Sequence, residues 1–195
     1  RLPLRRRAVV YRLLPKERAI VVFERLSPGL QSDLLRGLQD SEVASIFADL
    51  DPDDRVWLLD ELPAAVAPKL LHGLSEKERQ LTAEVLGYPK GSVGRRMTPE
   101  YVSTRAESTV AEAMRRVRAR LDDAETIYTL PVLDGSRHVV GVVGLRDLLR
   151  ADPDVSIAEI MHPAHVATAY RDAESVARTC TDLRVLALPI VDKEA

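Results

Sequence analysis

A superhelical array of short α-helices, followed by two copies of a small α/β unit, is the fold class this sequence predicts (α + α/β). Two observations carry it. Leu14, Leu26, Leu38, Leu50, Leu62, Leu74 and Leu86 stand at intervals of twelve. Beyond them, "LPVLD" at 130–134 and "LPIVD" at 188–192 use one strand signal twice. Internal repeats of this kind set the architecture before any local propensity does.

Within the array, apolar pairs precede the leucines by three and four residues: Val22-Phe23, Leu34-Leu35, Ile46-Phe47, Leu58-Leu59 and Leu70-Leu71. That spacing places each trio on one helical face. Helix starters follow most of the leucines, among them Pro15, Ser27-Pro28, Asp51-Pro52, Pro63 and Ser75. Twelve residues hold a helix of about eight, roughly 12 Å long, plus a turn. So short a helix is marginal alone and must bury its stripe on neighbours, each unit touching mainly the next. In "LDPDDRVWLLDEL", Asp51 is the expected N-cap, Pro52 suits the first turn, and Asp53 and Asp54 complement the helix dipole.

"GYPKGSVGRRMTPEYV" then carries three glycines and two prolines and reads as a linker. It lacks the spacing of a phosphate-binding P-loop. The first α/β copy follows, with a helix keeping the period Val110, Ala113, Met114, Val117, Leu121. Strands in "IYTLPVLD" and "HVVGVVGL" join through Asp134-Gly135-Ser136-Arg137, and a last helix starts near Arg146-Asp147. The second copy restarts at Met161-His162-Pro163, matching Met97-Thr98-Pro99, and is expected to continue past the last residue.

Composition narrows the function classes. The single cysteine, Cys180, rules out an internal disulfide and fits a reducing cytosol. The apolar run Val139 to Leu145 is too short to cross a bilayer, and no signal-peptide pattern is read. Net charge is −2, but its distribution is uneven. Residues 1–25 hold eight basic and two acidic side chains, a balance of +6; residues 31–68 hold nine acids against Arg36 and Arg55, a balance of −7. Such runs read first as solvated faces and helix ends. Contact of the basic start with anionic lipid headgroups is a further reading. His72, His138, His162 and His165 show no ligand or triad spacing, so an enzyme is the least expected class. Nucleic-acid binding is not expected, since only Tyr11 interleaves the basic start.

Taken in order, the helical repeats, "YPKGSVGRRMTPEYV", "DAETIYTLPVLD" and "GVVGLRDLLRADPDVSIAEIMHP" resemble the cytosolic part of the MgtE family of magnesium channels and transporters. The tandem units resemble a pair of cystathionine-β-synthase (CBS) domains. The resemblance implies a helical N domain over 1–88, a linker over 89–96, a first CBS domain over 97–155 and an incomplete second over 156–195. It implies a Mg2+-sensing regulatory region on the cytoplasmic side of the cell membrane (the bacterial inner membrane in the full-length protein). It would be a homodimer through its CBS domains, gating its own transmembrane domain. The alternatives are an adenine-nucleotide-sensing CBS regulator and a helical scaffold like the FliG motor-switch proteins.

Carried over position by position, the family's metal-site residues fall at Asp53, at Gly94 through its carbonyl, and at Asp172 and Glu174. Three further family acids are replaced, by Val21, Trp57 and Arg184; Asp49, Asp54 and Asp60 are nearby substitutes. Asp172 and Glu174 read equally as helix N-cap and first-turn acid. Magnesium takes oxygen ligands and keeps several waters, so few carboxylates suffice. ATP is the second ligand implied, at Gly141-Val142-Val143-Gly144-Leu145-Arg146-Asp147. There Asp147 would meet ribose and Arg146 phosphate, while Gly144 replaces the usual hydroxyl residue.

Overall fold

A computed structural model describes residues 4–62 and 67–192, and Pro63, expected to start a helix, lies outside them. The chain divides into two compact units, Arg1–Leu86 and Gly87–Ala195.

In the first unit the twelve-residue period becomes helices α1 (Leu4–Arg12), α2 (Lys16–Glu24), α3 (Pro28–Gly37), α4 (Asp40–Asp49), α5 (Pro52–Glu61), α6 (Ala67–His72) and α7 (Glu76–Leu86). Leu38, Leu50 and Leu62 end α3, α4 and α5 in extended backbone, so each helix stops at its leucine and the chain turns away. Phe23, Leu34, Leu35, Ile46, Phe47, Leu58, Leu59 and Leu70 form the core, with most of the periodic leucines packed on it. Val22 departs from the pattern and is exposed.

The closest backbone approaches run between alternate helices, α1 with α3, α4 with α6 and α5 with α7. This corrects the expectation that each unit touches mainly the next. The sharp extended turns send consecutive helices in different directions, and in these three pairs the second helix along returns beside the first.

A polar device reinforces this doubled period. Gln31 of α3 donates to the Phe23 carbonyl at 2.8 Å. Twenty-four residues on, Arg55 of α5 donates to the Phe47 carbonyl at 3.0 Å and the Ala48 carbonyl at 2.8 Å. Arg79, after the same interval, donates to the Leu74 carbonyl at 3.1 Å. Phe23, Phe47 and Ala48 lie in the last turns of α2 and α4, where carbonyls lack intrahelical partners, so these side chains cap the preceding helix. Asp51 sits at the N-cap of α5 as expected, but its side chain makes no capping hydrogen bond.

The second unit opens with a 3-10 turn (Val93–Arg96) and strand β1 (Thr104–Arg105). Helix α8 (Val110–Ala119), strands β2 (Thr129–Leu133) and β3 (Val139–Gly144), and helices α9 (Leu145–Arg150) and α10 (Ile157–Ile160) complete the first copy. β1 lies parallel to β2, and β2 antiparallel to β3. Val110, Ala113 and Val117 are buried, whereas Leu121 falls past the end of α8 and is exposed. The second copy supplies β4 (Ala167–Thr168), α11 (Ala173–Leu183) and β5 (Ile190–Val191), with β4 parallel to β5 as β1 is to β2.

The two copies exchange their leading segments. Ser156 bridges Thr109, the N-cap of α8, while Ser92 bridges Asp172, the N-cap of α11. The Ile157 and Ala158 amides donate to the Ser108 and Ala106 carbonyls, just as the Val93 and Gly94 amides donate to Arg171 and Ala169. Residues 91–94 are therefore the counterpart of 155–158, and they are hydrogen-bonded into the pair. Their place is structural, where a flexible linker was expected.

Candidate functional site

Four positions were expected to hold metal. Asp172 caps α11, its carboxylate accepting the Ser175 amide at 2.8 Å. Glu174, in the first turn of that helix, pairs with Arg178 one turn on at 2.5 Å. Both are exposed. Gly94 is buried, its amide bonded to the Ala169 carbonyl at 2.9 Å, and Tyr88 packs on it. A Cβ there would lie 2.5 Å from the Tyr88 ring and 2.9 Å from the Ala169 oxygen, so only glycine fits. Tyr88 meets Tyr170 edge to face at 5.6 Å. The Ser92–Asp172 bridge brings Gly94 beside the N-terminus of α11.

Asp53 occupies the first turn of α5 and is partly buried. One turn on, where the resemblance implies an acid, Trp57 packs against the helical core and offers an apolar contact instead. Val21 is 47% exposed on α2. Arg184, at the third replaced position, ends α11 in left-handed backbone at φ 53°. Among the described residues no three acid, histidine or cysteine side chains gather as a metal cage. Asp172 and Glu174 are two exposed carboxylates on one helix start, each already engaged within its own helix. They fit an ion that keeps most of its waters, as Mg2+ does, and do not fit a dry, fully protein-ligated one.

The second expected site is built more tightly. Gly144 ends β3 and is the N-cap of α9, whose first turn presents the exposed Arg146 and the half-buried Asp147. A Cβ at 144 would stand 3.0 Å from Asp147 Oδ2, so the glycine replacing the hydroxyl residue makes room for the carboxylate. His162 Nε2 lies 3.4 Å from the same oxygen. It is held there because Val142 and His162 exchange both backbone hydrogen bonds, at 2.9 and 2.8 Å. Gly141 permits that approach, since a Cβ would meet the His162 carbonyl oxygen at 2.9 Å. Sequence reasoning placed Asp147 but missed His162, which reads as a surface residue beside Pro163.

Elsewhere Asp134 accepts the Ser136 and His138 amides, both at 2.8 Å, and faces His138 Nδ1 at 3.1 Å. The His138 amide bond first, then the His138 ring and the Ser136 amide, together outweigh an opposing desolvation and hold its carboxyl below the ordinary range. The group closes the β2–β3 turn and touches neither candidate site.

An array of short helices joined to two α/β copies that exchange their leading segments defines the architecture of the chain: a helical domain followed by a CBS-domain pair. The family model described as the MgtE intracellular N domain matches residues 1–91, and the CBS domain model matches 91–154. The magnesium transporter MgtE of Thermus thermophilus is 38% identical over 195 residues, which is 96% of this chain and 43% of the relative. That of Enterococcus faecalis is 41% identical over 110 residues, 56% of this chain and 24% of the relative. A solved cytosolic domain of the Mg2+ channel MgtE, in complex with ATP, superimposes with a TM-score of 0.89 at 36% identity, covering 99% of this chain and 79% of that one. The soluble part of a magnesium transporter gives 0.76 at 32% identity, covering 98% and 80%. The chain belongs to the MgtE family of magnesium transporters. It spans less than half the length of the curated relatives it matches.

Proposed function

We propose that this chain is the Mg2+-sensing regulatory region of an MgtE-type channel or transporter. Mg2+ closes the helical unit onto a CBS dimer, and that closure gates a membrane domain in the full-length protein. The observation that carries the reading is the joint order of helical array and CBS pair, which the solved MgtE cytosolic domain shares along nearly the whole chain. Apposed carboxylates repel, and a divalent ion turns the repulsion into attraction. Asp53, Asp172 and Glu174 are the proposed acidic contributors and the Gly94 carbonyl the neutral one. A near-complete shift between open and closed forms needs roughly 5 kcal/mol of differential affinity, which several weak sites supply jointly. Asp53→Asn and Asp172→Asn, each measured by scattering under Mg2+, test the assignment. If both variants compact as the parent does, these residues do not hold the ion.

A second reading rests on the Gly144–Asp147 geometry and on the ATP complex of the similar MgtE domain. Here Asp147 would accept a ribose hydroxyl and Arg146 would reach a phosphate. Calorimetric titration with ATP tests it. No heat at any nucleotide concentration up to the millimolar range refutes it.

A further inference from the structure

The first helix has two faces of different chemistry. Ala8 and Tyr11 are buried at 2% and 8%, and Arg7 turns to Asp33 of α3 at 3.4 Å. Opposite them Val9 is 53% exposed and Val10 49%, with Leu13 in the following turn at 78%. Successive helical residues turn by about 100°, so positions 12, 5, 9, 6 and 10 follow one another across an arc of about 160°. In the sequence these read Arg, Arg, Val, Arg, Val. No acid occurs before Glu17.

A groove on a protein partner asks for a continuous apolar stripe. Here basic and aliphatic positions interleave, which suits shallow burial among phosphate headgroups. The acidic block 31–68 in the same unit would be repelled by the same surface, so charge gives the unit a direction toward it.

We propose that the outward face of α1, with Val9, Val10 and Leu13 among its arginine positions, docks on an anionic lipid surface. The aliphatic side chains enter the headgroup boundary, and the positive charge of the basic segment draws it to the anionic lipid. A single short helix binds such a surface weakly and reversibly, so the contact adds to any other membrane attachment of the protein.

The test is flotation of the 195-residue chain with phosphatidylcholine vesicles, with and without phosphatidylglycerol, at low and high salt. Binding should need the anionic lipid and be released by salt. Arg5→Gln with Arg6→Gln should lower partition by roughly fivefold per arginine removed. Val10→Ser with Leu13→Ser should lower it at unchanged charge, while Arg116→Gln with Arg118→Gln on α8 should leave it intact. Fluorescence of Trp57 verifies that each variant keeps the helical unit folded. Equal binding to neutral vesicles, no binding, or a loss confined to the α8 variant overturns the proposal. Self-association that Leu13→Ser abolishes, without vesicle binding, overturns it too and assigns the face to a second copy of the chain.

Discussion

Replacing Arg55 by alanine should be among the most damaging substitutions in the helical unit. The side chain is 6% exposed and binds the Phe47 and Ala48 carbonyls, Thr82 Oγ1 at 3.4 Å and Glu78 Oε1 at 3.3 Å. The two carbonyls belong to the C-terminus of α4, where a positive charge is also favoured by the helix dipole. A hydrogen bond from a charged donor contributes about 1.5–3 kcal/mol, so losing these two should cost about 3–6 kcal/mol. Glu78 is 35% exposed and regains water, so little is added for the ion pair. Urea unfolding followed at Trp57, the single tryptophan, reads this unit alone, because Trp57 sits in α5. With a slope of about 2 kcal/mol per molar, the midpoint should fall by roughly 2 M. Gln31→Ala removes one neutral bond of the same design and should cost about 1 kcal/mol. An Arg55→Ala midpoint within about 0.5 M of the parent, or no difference between the two variants, would refute the capping argument.

Partial burial pushes the Glu78 carboxyl up, but hydrogen bonds from Ser75, then the charges of Arg55 and Lys77, outweigh it and leave it below the ordinary range. A carboxyl lowered on folding contributes stability above its unfolded pKa and loses it as pH falls through the folded one. The Trp57-monitored midpoint of the parent should therefore drop more than that of Glu78→Gln on acidification through the carboxylate range. Parallel pH profiles would contradict this. Gly94→Ala forces a Cβ into the Tyr88 ring and the Ala169 oxygen and should destabilise the second unit by about 1–3 kcal/mol, read as a lower thermal midpoint by circular dichroism. If ATP binds at Asp147, Asp147→Asn should weaken it about tenfold, the effect of losing roughly 1.4 kcal/mol from one charged hydrogen bond. His162→Ala, which frees that carboxylate, should tighten binding in the same titration; weaker binding would show that His162 itself holds the nucleotide.

The parts of the fold that were legible in sequence are those written in hydrophobic spacing. Leucines every twelve residues announced the helices because each must bury one stripe, and the strand signal at Pro131 and Pro189 announced the duplication. Packing between alternate helices was not legible, because spacing within a helix does not say which neighbour covers it. Its trace was present nonetheless, in the 24-residue interval joining Gln31, Arg55 and Arg79. The exchange of leading segments depends on pairing between distant residues. Comparing Ser92-Val93 with Ser156-Ile157 across the two copies would have exposed it, whereas glycine content suggested only a linker. At the candidate sites, single carboxylates such as Asp147 and Asp172 could be placed by motif. The cap role of Asp172 was legible too, and its bond from the Ser175 amide agrees with it, but the approach of His162 to Asp147 was not, because a backbone pairing supplies it.

Small-angle scattering of the chain under titration with Mg2+, with EDTA, calcium and sodium controls, tests the central claim most directly. The account expects a dimer that compacts under Mg2+, reopens with EDTA and ignores sodium. A scattering profile unchanged up to millimolar Mg2+ would contradict it, and would mean that Val21, Trp57 and Arg184 have replaced the acids the switch requires.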